Sequence, residues 1–160
     1  MFAHSAAEVH VYETEYESEA LLVGFCKALR PPYVLETGSF HGKTSAAIGR
    51  ALTVGRLDTI EIDSYSVERA REATVGLPVT VHHCSSLDFI PPMEINLAFL
   101  DSAPDIRLQE LEHFRPYLGA GAVVAIHDAR DIWAEWPAFV GWRWLNIGTP
   151  KGLALLQRAI

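Results

Sequence analysis

No run of apolar residues in the 160-residue chain is long enough to cross a bilayer. Residues 1–10 lack the basic start and apolar block of a secretory signal, so a cytoplasmic protein without membrane partners is expected. Cysteine is scarce. Cys26 and Cys84 cannot form a disulfide framework and read as reduced, buried thiols. Positive charge is also short, with 13 Lys and Arg against 20 Asp and Glu; the net charge of −7 offers nucleic acid no overall attraction. Repeats, linkers and low-complexity tracts are absent. One domain spanning residues 1–160 is therefore expected, with residues 1–12 as a loose arm or short helix. The 49% hydrophobic and 21% charged content fits an ordinary globule.

The pattern that is present alternates between strand and helix. Apolar spacing at Leu21, Leu22, Phe25, Cys26 and Leu29 predicts a helix over 13–29, with Ser18 as a candidate cap and Pro31-Pro32 as its stop. Strands are expected at 33–37, 57–62, 79–83, 95–100 and 122–126. Helices are expected at 43–52, at 64–75 capped by Ser64, and at 106–118 ended by Gly119. A short helix over 131–140 and strands at 142–147 and 153–157 complete the reading. The tight turn 148–152 makes the last two strands antiparallel. This is an α/β chain with a doubly wound, mostly parallel sheet, helices on both faces and an antiparallel C-terminal edge hairpin.

Ligands of such sheets bind beyond the carboxyl ends of the strands. Those ends carry Glu36 to Gly42, Glu61 to Asp63, Cys84 to Asp88, Asp101 to Pro104 and His127 to Arg130. Residues 34–45, Val-Leu-Glu-Thr-Gly-Ser-Phe-His-Gly-Lys-Thr-Ser, form a strand, a glycine loop and a helix start. Gly42-Lys43-Thr44 looks like the end of a phosphate loop, and Leu97–Asp101 like the acidic strand that accompanies one. However, only three residues lie between Gly38 and Gly42, Thr37 stands where glycine belongs, and Glu36 would repel a phosphate. The dinucleotide pattern Gly-x-Gly-x-x-Gly is missing as well. Glu61, about 20 residues beyond the loop, stands where an acid grips ribose hydroxyls.

Residues 34–45 match Val-Leu-Glu-x-Gly-x-x-x-Gly-x-Ser, with Thr44 in place of the first serine. Over residues 16–156 the chain resembles the Rossmann-like class I methyltransferases that use S-adenosylmethionine, and among them the small O-methyltransferases related to catechol O-methyltransferase. The resemblance implies a small-molecule methyl acceptor. It assigns Glu36, Gly38 and the backbone around Phe40 and Gly42 to the methionine end of the cofactor, with Ser39 and Thr44 as further contacts. Glu61 would take the ribose, Ile62 would lie against the adenine, and Ser86 and Leu87 would meet its edge. Asp101 matches the acid after the fourth strand.

The same resemblance has gaps. Asp101 and Asp128 match two metal-holding acids, but Ala129 stands at the last ligand and Pro104 at the catalytic lysine. Two carboxylates are few for a hard cation such as Mg²⁺; Asp131 and His127 are the candidates for a third ligand, and no metal ligands are assigned. Without a metal, His127 is the candidate general base, assisted by Asp101 and Asp128; the alternative is a histidine that merely closes the strand end. His4, His10, His41, His82, His83 and His113 show no metal spacing. Trp133, Trp136, Trp142 and Trp144 read as core or sheet-covering residues, with Trp133 and Trp136 also beside the expected acceptor site. No insertion is long enough for a lid, which leaves room for a second subunit to cover the site. The competing readings are a non-catalytic S-adenosylmethionine or nucleoside binder, motivated by Pro104 and Ala129, and a phosphate-loop phosphotransferase, motivated by Gly42-Lys43-Thr44.

Overall fold

The computed structural model describes residues 13–130 and 141–158. The expected arm at 1–12, the helix expected at 131–140, Asp131, Trp133 and Trp136 lie outside the described residues. In chain order the elements are α1 (Tyr16–Leu29), β1 (Tyr33–Thr37), α2 (Lys43–Ala51), β2 (Arg56–Glu61), α3 (Ser64–Ala73), β3 (Val79–His83), β4 (Ile95–Leu100), α4 (Arg107–Phe114), β5 (Leu118–His127), β6 (Trp142–Ile147) and β7 (Leu153–Arg158). Among the described residues no helix is long and apolar enough to cross a membrane.

The strands form one sheet in the order β3-β2-β1-β4-β5-β7-β6. Pairs from β3 through β5 are parallel, and β7 runs antiparallel to both β5 and β6. The expected edge hairpin is present, with its reversed strand one place in from the edge. After β1 the chain builds outwards to β2 and β3, then returns to lay β4 on the other side of β1. That reversal opens a crevice beyond the ends of β1 and β4.

Strand alternation divides the core into two layers. Tyr33, Leu35, Ala98 and Leu100 face one way and pack with Leu111 and Phe114 of α4. Val34, Leu97 and Phe99 face the other way and pack with Leu22 and Cys26 of α1 and Ile48 and Ala51 of α2. All five residues of β1 are buried, as expected for a central strand covered on both sides. Phe114, 1% exposed, stabilises its layer by about 1.5–3 kcal/mol relative to an exposed side chain.

Three expected boundaries are corrected. Ser18 does not cap α1; Glu15 holds the extended N-cap position, and the Ser18 hydroxyl donates to Glu15 Oε1 at 2.8 Å. α3 is capped by Asp63, whose carboxylate accepts the Ser66 amide at 2.9 Å, while Ser64 is its first helical residue. Gly119 does not end α4. The helix stops at Phe114 and tightens into a 3-10 turn over Arg115–Tyr117, because Pro116 has no amide to continue the ladder. Gly119 therefore lies within β5.

Candidate active site

The loop from β1 to α2 is tied down by its own amides. Gly38 and Ser39 N–H donate to Ile60 O at 2.8 and 3.3 Å, and Gly42 N–H donates to Ser39 O at 2.8 Å. Phe40 N–H donates to Glu61 Oε2 at 2.8 Å. These four amides are spent within the protein, so they do not form a phosphate cradle. Gly38 has φ +77°, and a Cβ there would fall 2.3 Å from Asp101 O. Only glycine lets the loop pass so close to the end of β4. Phe40 also holds a positive φ of 46°, and its ring stacks on His41 with centroids 3.9 Å apart.

Two acids flank this loop. Glu36 shares the face of Val34, so its side chain runs beneath the loop towards α2. It is 1% exposed, and Oε2 accepts from Ser45 Oγ and, at 2.6 Å, from Thr59 Oγ1. Thr59 Oγ1 also lies 2.8 Å from Ser39 Oγ. Burial pushes the Glu36 carboxyl up to about 7, against the two hydroxyls that favour its ionised form. Glu61 lies at the surface of the crevice. Its Oε1 accepts the amides of Ile62 and Asp63 at 2.8 and 3.0 Å. With Phe40 N–H on Oε2, one of its roughly four acceptor positions remains for a ligand, and it is on Oε2.

A cavity of about 530 Å³ opens between these acids and the ends of β4 and β5. Of the expected cofactor residues, Gly38, Phe40, Glu61, Ile62, Ser86 and Asp101 line it, and Asp128 lines the acceptor side. Ser39 and Thr44 instead line an adjoining space of about 20 Å³, together with Thr14, Lys43 and Asp101. Glu36, Gly42 and Leu87 line neither space. Gly42 is the left-handed N-cap of α2, packed against Ala70 of α3. The Leu87 amide donates to Ser85 Oγ at 3.3 Å in a 3-10 turn.

The β4–β5 side of the cavity, where the acceptor was expected, is a network of charges. His127 is 1% exposed. Its Nδ1 lies 2.7 Å from Asp101 Oδ1, and its Nε2 bonds Glu15 Oε2. Burial alone would lower the imidazole pKa; the hydrogen bond and charge of Asp101, with Glu15 and Asp128, outweigh burial and raise it. Neither ring nitrogen is therefore free to take a proton from an acceptor hydroxyl. Asp101 Oδ2 also accepts from Thr14 Oγ1 at 2.9 Å.

Arg107, the first residue of α4, completes this network and is 2% exposed. Its Nε and one terminal nitrogen donate to Ser102 O at 2.9 and 2.6 Å, and the other terminal nitrogen donates to His127 O. The nitrogen on Ser102 also lies 3.3 Å from Asp101 Oδ1 and 3.2 Å from Asp128 Oδ2. One turn on, the buried Glu110 accepts from Thr37 Oγ1 at 3.0 Å and from Ser102 Oγ at 2.7 Å, tying α4 to β1 and to the chain after β4.

Thr14, Glu15 and Arg107 are site residues that the sequence reading missed. Arg107 left one trace, a cation in the first turn of a helix, where the helix dipole opposes it unless acids are close. Glu15 left none, since its partner is 112 positions away. Of the tryptophans, Trp142 is buried as expected, whereas Trp144 is 48% exposed.

The fold has counterparts among solved structures. An SAH-bound methyltransferase from Podospora anserina matches with TM-score 0.81 at 14% identity, over 94% of this chain and 81% of its own. The O-methyltransferase TomG from Streptomyces achromogenes, in complex with SAM, matches with TM-score 0.73 at 19% identity, over 93% and 82%. An O-methyltransferase from Bacillus cereus in complex with SAH matches with TM-score 0.76 at 17% identity, over 94% and 84%. No curated protein matches the sequence. A family model described as a methyltransferase domain matches residues 35–129, which run from the middle of β1 to just past β5. The glycine loop, the switch-point crevice and that match agree: the chain belongs to the methyltransferase domain family.

Proposed function

We propose that the protein is an S-adenosylmethionine-dependent methyltransferase that methylates an oxygen of a small molecule. The observation that carries this reading is the cavity beyond the ends of β1 and β4, lined by Gly38 and Asp101 where the two strands end and by Glu61 and Asp128. Its fit to the cofactor rests on the donor set. The cofactor presents a sulfonium, an ammonium and ribose hydroxyls. At the cavity Glu61 offers it a carboxylate held by neutral amides, with one acceptor position left and no cation paired to it among the described residues. The solved relatives named as O-methyltransferases support oxygen as the acceptor atom.

When bound, the cofactor supplies an electrophilic methyl group. Gly38 and Phe40 would line its methionine end, the remaining acceptor position on Glu61 Oε2 would take a ribose hydroxyl, and Ile62 and Ser86 would flank the base. Glu36 would act beneath the loop, fixing Ser45 and Thr59 rather than touching the ligand. Asp101, Ser102, Pro104 and Asp128 border the space left for the acceptor. Most of the rate would come from holding the acceptor in line and excluding water, since among the described residues no unpaired base faces that space. Proton removal would fall to Asp128, the more exposed acid, or to solvent.

Calorimetry with S-adenosylhomocysteine and with ATP–Mg²⁺ tests the reading. Binding of the former and not the latter is expected. Nucleotide binding alone would sink it. Glu61→Ala should weaken S-adenosylhomocysteine by about 10- to 100-fold, the value of a hydrogen bond to a charged group. An unchanged affinity would refute the ribose assignment.

A further inference from the structure

We propose that Arg107 is the resident cation of the acceptor site, and that its guanidinium takes the place a divalent ion holds in catechol-type relatives. The nearest thing to a metal cluster among the described residues is Asp101, His127 and Asp128, whose donor atoms lie within 4.8 Å of one another. Three features make that set unfit for an ion. His127 offers no lone pair, because both nitrogens face carboxylates. Ala129, fully buried, stands where the last oxygen ligand would be. Arg107 bridges the two acids with one nitrogen, at 3.3 and 3.2 Å, where an ion would have to sit.

The magnitudes favour the guanidinium. It is charged at every working pH and cannot leave as a neutral group. Admitting an ion would strip Arg107 of both acids and leave a buried charge beside a second cation, which is strongly unfavourable. Two carboxylates and water would return little, since oxygen sites with so few ligands bind at the weak end of the range. The two carbonyls under the guanidinium, Ser102 O and His127 O, fix its plane independently of the acids. Ser102 is itself held by the buried Glu110, so the arginine stands on a built support. Arg107 also lines the cavity. It thus sets a positive charge at the acceptor side and positions Asp101 and Asp128, without an exchangeable metal.

The catalytic half of this inference rests on the proposed methyl transfer, while the metal measurement does not, so the two can fail separately. Mn²⁺ binding is followed by electron paramagnetic resonance on the wild-type chain, on Arg107→Lys, on Arg107→Gln and on Arg107→Ala. The wild type and Arg107→Lys should bind no Mn²⁺ up to roughly 1 mM, the weak end of oxygen-ligand sites. Arg107→Gln or Arg107→Ala, whichever stays folded by circular dichroism, should gain affinity on the order of tenfold or more, and Asp128→Asn should abolish that gain. A gain reversed by Asp128→Asn is not what a merely structural arginine would give. Stoichiometric Mn²⁺ binding to the wild type that is lost in Asp101→Asn would overturn the proposal. So would folded Gln and Ala variants with no gain. Loss of S-adenosylhomocysteine binding in the wild type would instead count against the cofactor reading and leave the metal result standing.

Discussion

The two sides of the crevice hold their acids by opposite means. On the β1–β2 side, Glu36 is held by two hydroxyls and Glu61 by three backbone amides, all of them neutral. On the β4–β5 side, Asp101, Asp128 and Glu15 are held by the His127 imidazole and the Arg107 guanidinium. Negative charge on the first side thus has no cationic partner among the described residues. On the second it is neutralised within the protein, and the residual field comes from groups locked in place. The lesson is that acids at strand ends do not share a role because they share a position; the charge of their partners separates them.

The largest effect should come from removing the cation that organises the second side. Arg107→Ala leaves Asp101 and Asp128 half-buried without their shared partner, and should cost about 3–5 kcal/mol of stability. Urea unfolding measures it. A parallel Thr59→Val change, which removes one neutral donor from Glu36, should cost nearer 1 kcal/mol. If the two variants lose equal stability, the contrast between charged and neutral support fails.

Next in size is a pH effect on the first side. The folded pKa of Glu36 is raised from 4.5 to about 7. Its stabilising contribution is therefore fully present below about 4.5 and lost as pH rises through about 7. Above that range, Glu36 costs on the order of 3 kcal/mol relative to a neutral side chain. Glu36→Gln should therefore be more stable than the wild type at pH 8, and the advantage should vanish near pH 4. Thermal melts across that range check it. A flat difference between the two proteins would mean that Glu36 stays ionised when folded.

How much of this could be read from the chain follows the same divide. The first side is local in sequence: a strand, a two-glycine loop and an acid some 20 residues later, with periodicity setting which residues reach the rim. Six strands were expected at or within one residue of where they form, because apolar runs bounded by turn residues mark them, while β5 begins four residues earlier than expected. The second side is assembled from distant pieces. His127 was found at a strand end, but its partner Glu15 comes from the start of α1, and no pattern within β5 points there. Arg107 sits in what reads as an ordinary helix start. Its meaning depends on Asp101 and Asp128 converging on it across two strand ends. Glu36 was identified as a site acid, but its hidden position follows from the parity of β1, which places residue 36 on the face of Val34 and α2.

The smallest predicted effect probes the joint between α1 and the second side. Burial alone would raise the Glu15 carboxyl, but hydrogen bonds from Thr149, His127 and Ser18, and the charge of His127, hold it down to about 2. The stability it contributes is present above its ordinary value of 4.5 and is lost as pH falls through about 2. Glu15→Gln keeps an acceptor for Ser18 but removes the charge opposite His127, so it should cost about 2 kcal/mol at pH 6, somewhat less than the full shift because Glu15 is partly exposed. It should also flatten the wild-type loss of stability between pH 4.5 and 2. Because Asp101 still holds His127 Nδ1, the imidazole should stay protonated above its ordinary range, only less far above it. An NMR titration of His127 in the two proteins separates the contributions. A pKa that collapses to the ordinary value without Glu15 would make α1, rather than Asp101, the element that keeps His127 charged. The acceptor side would then depend on the docking of the first helix as much as on the strand ends.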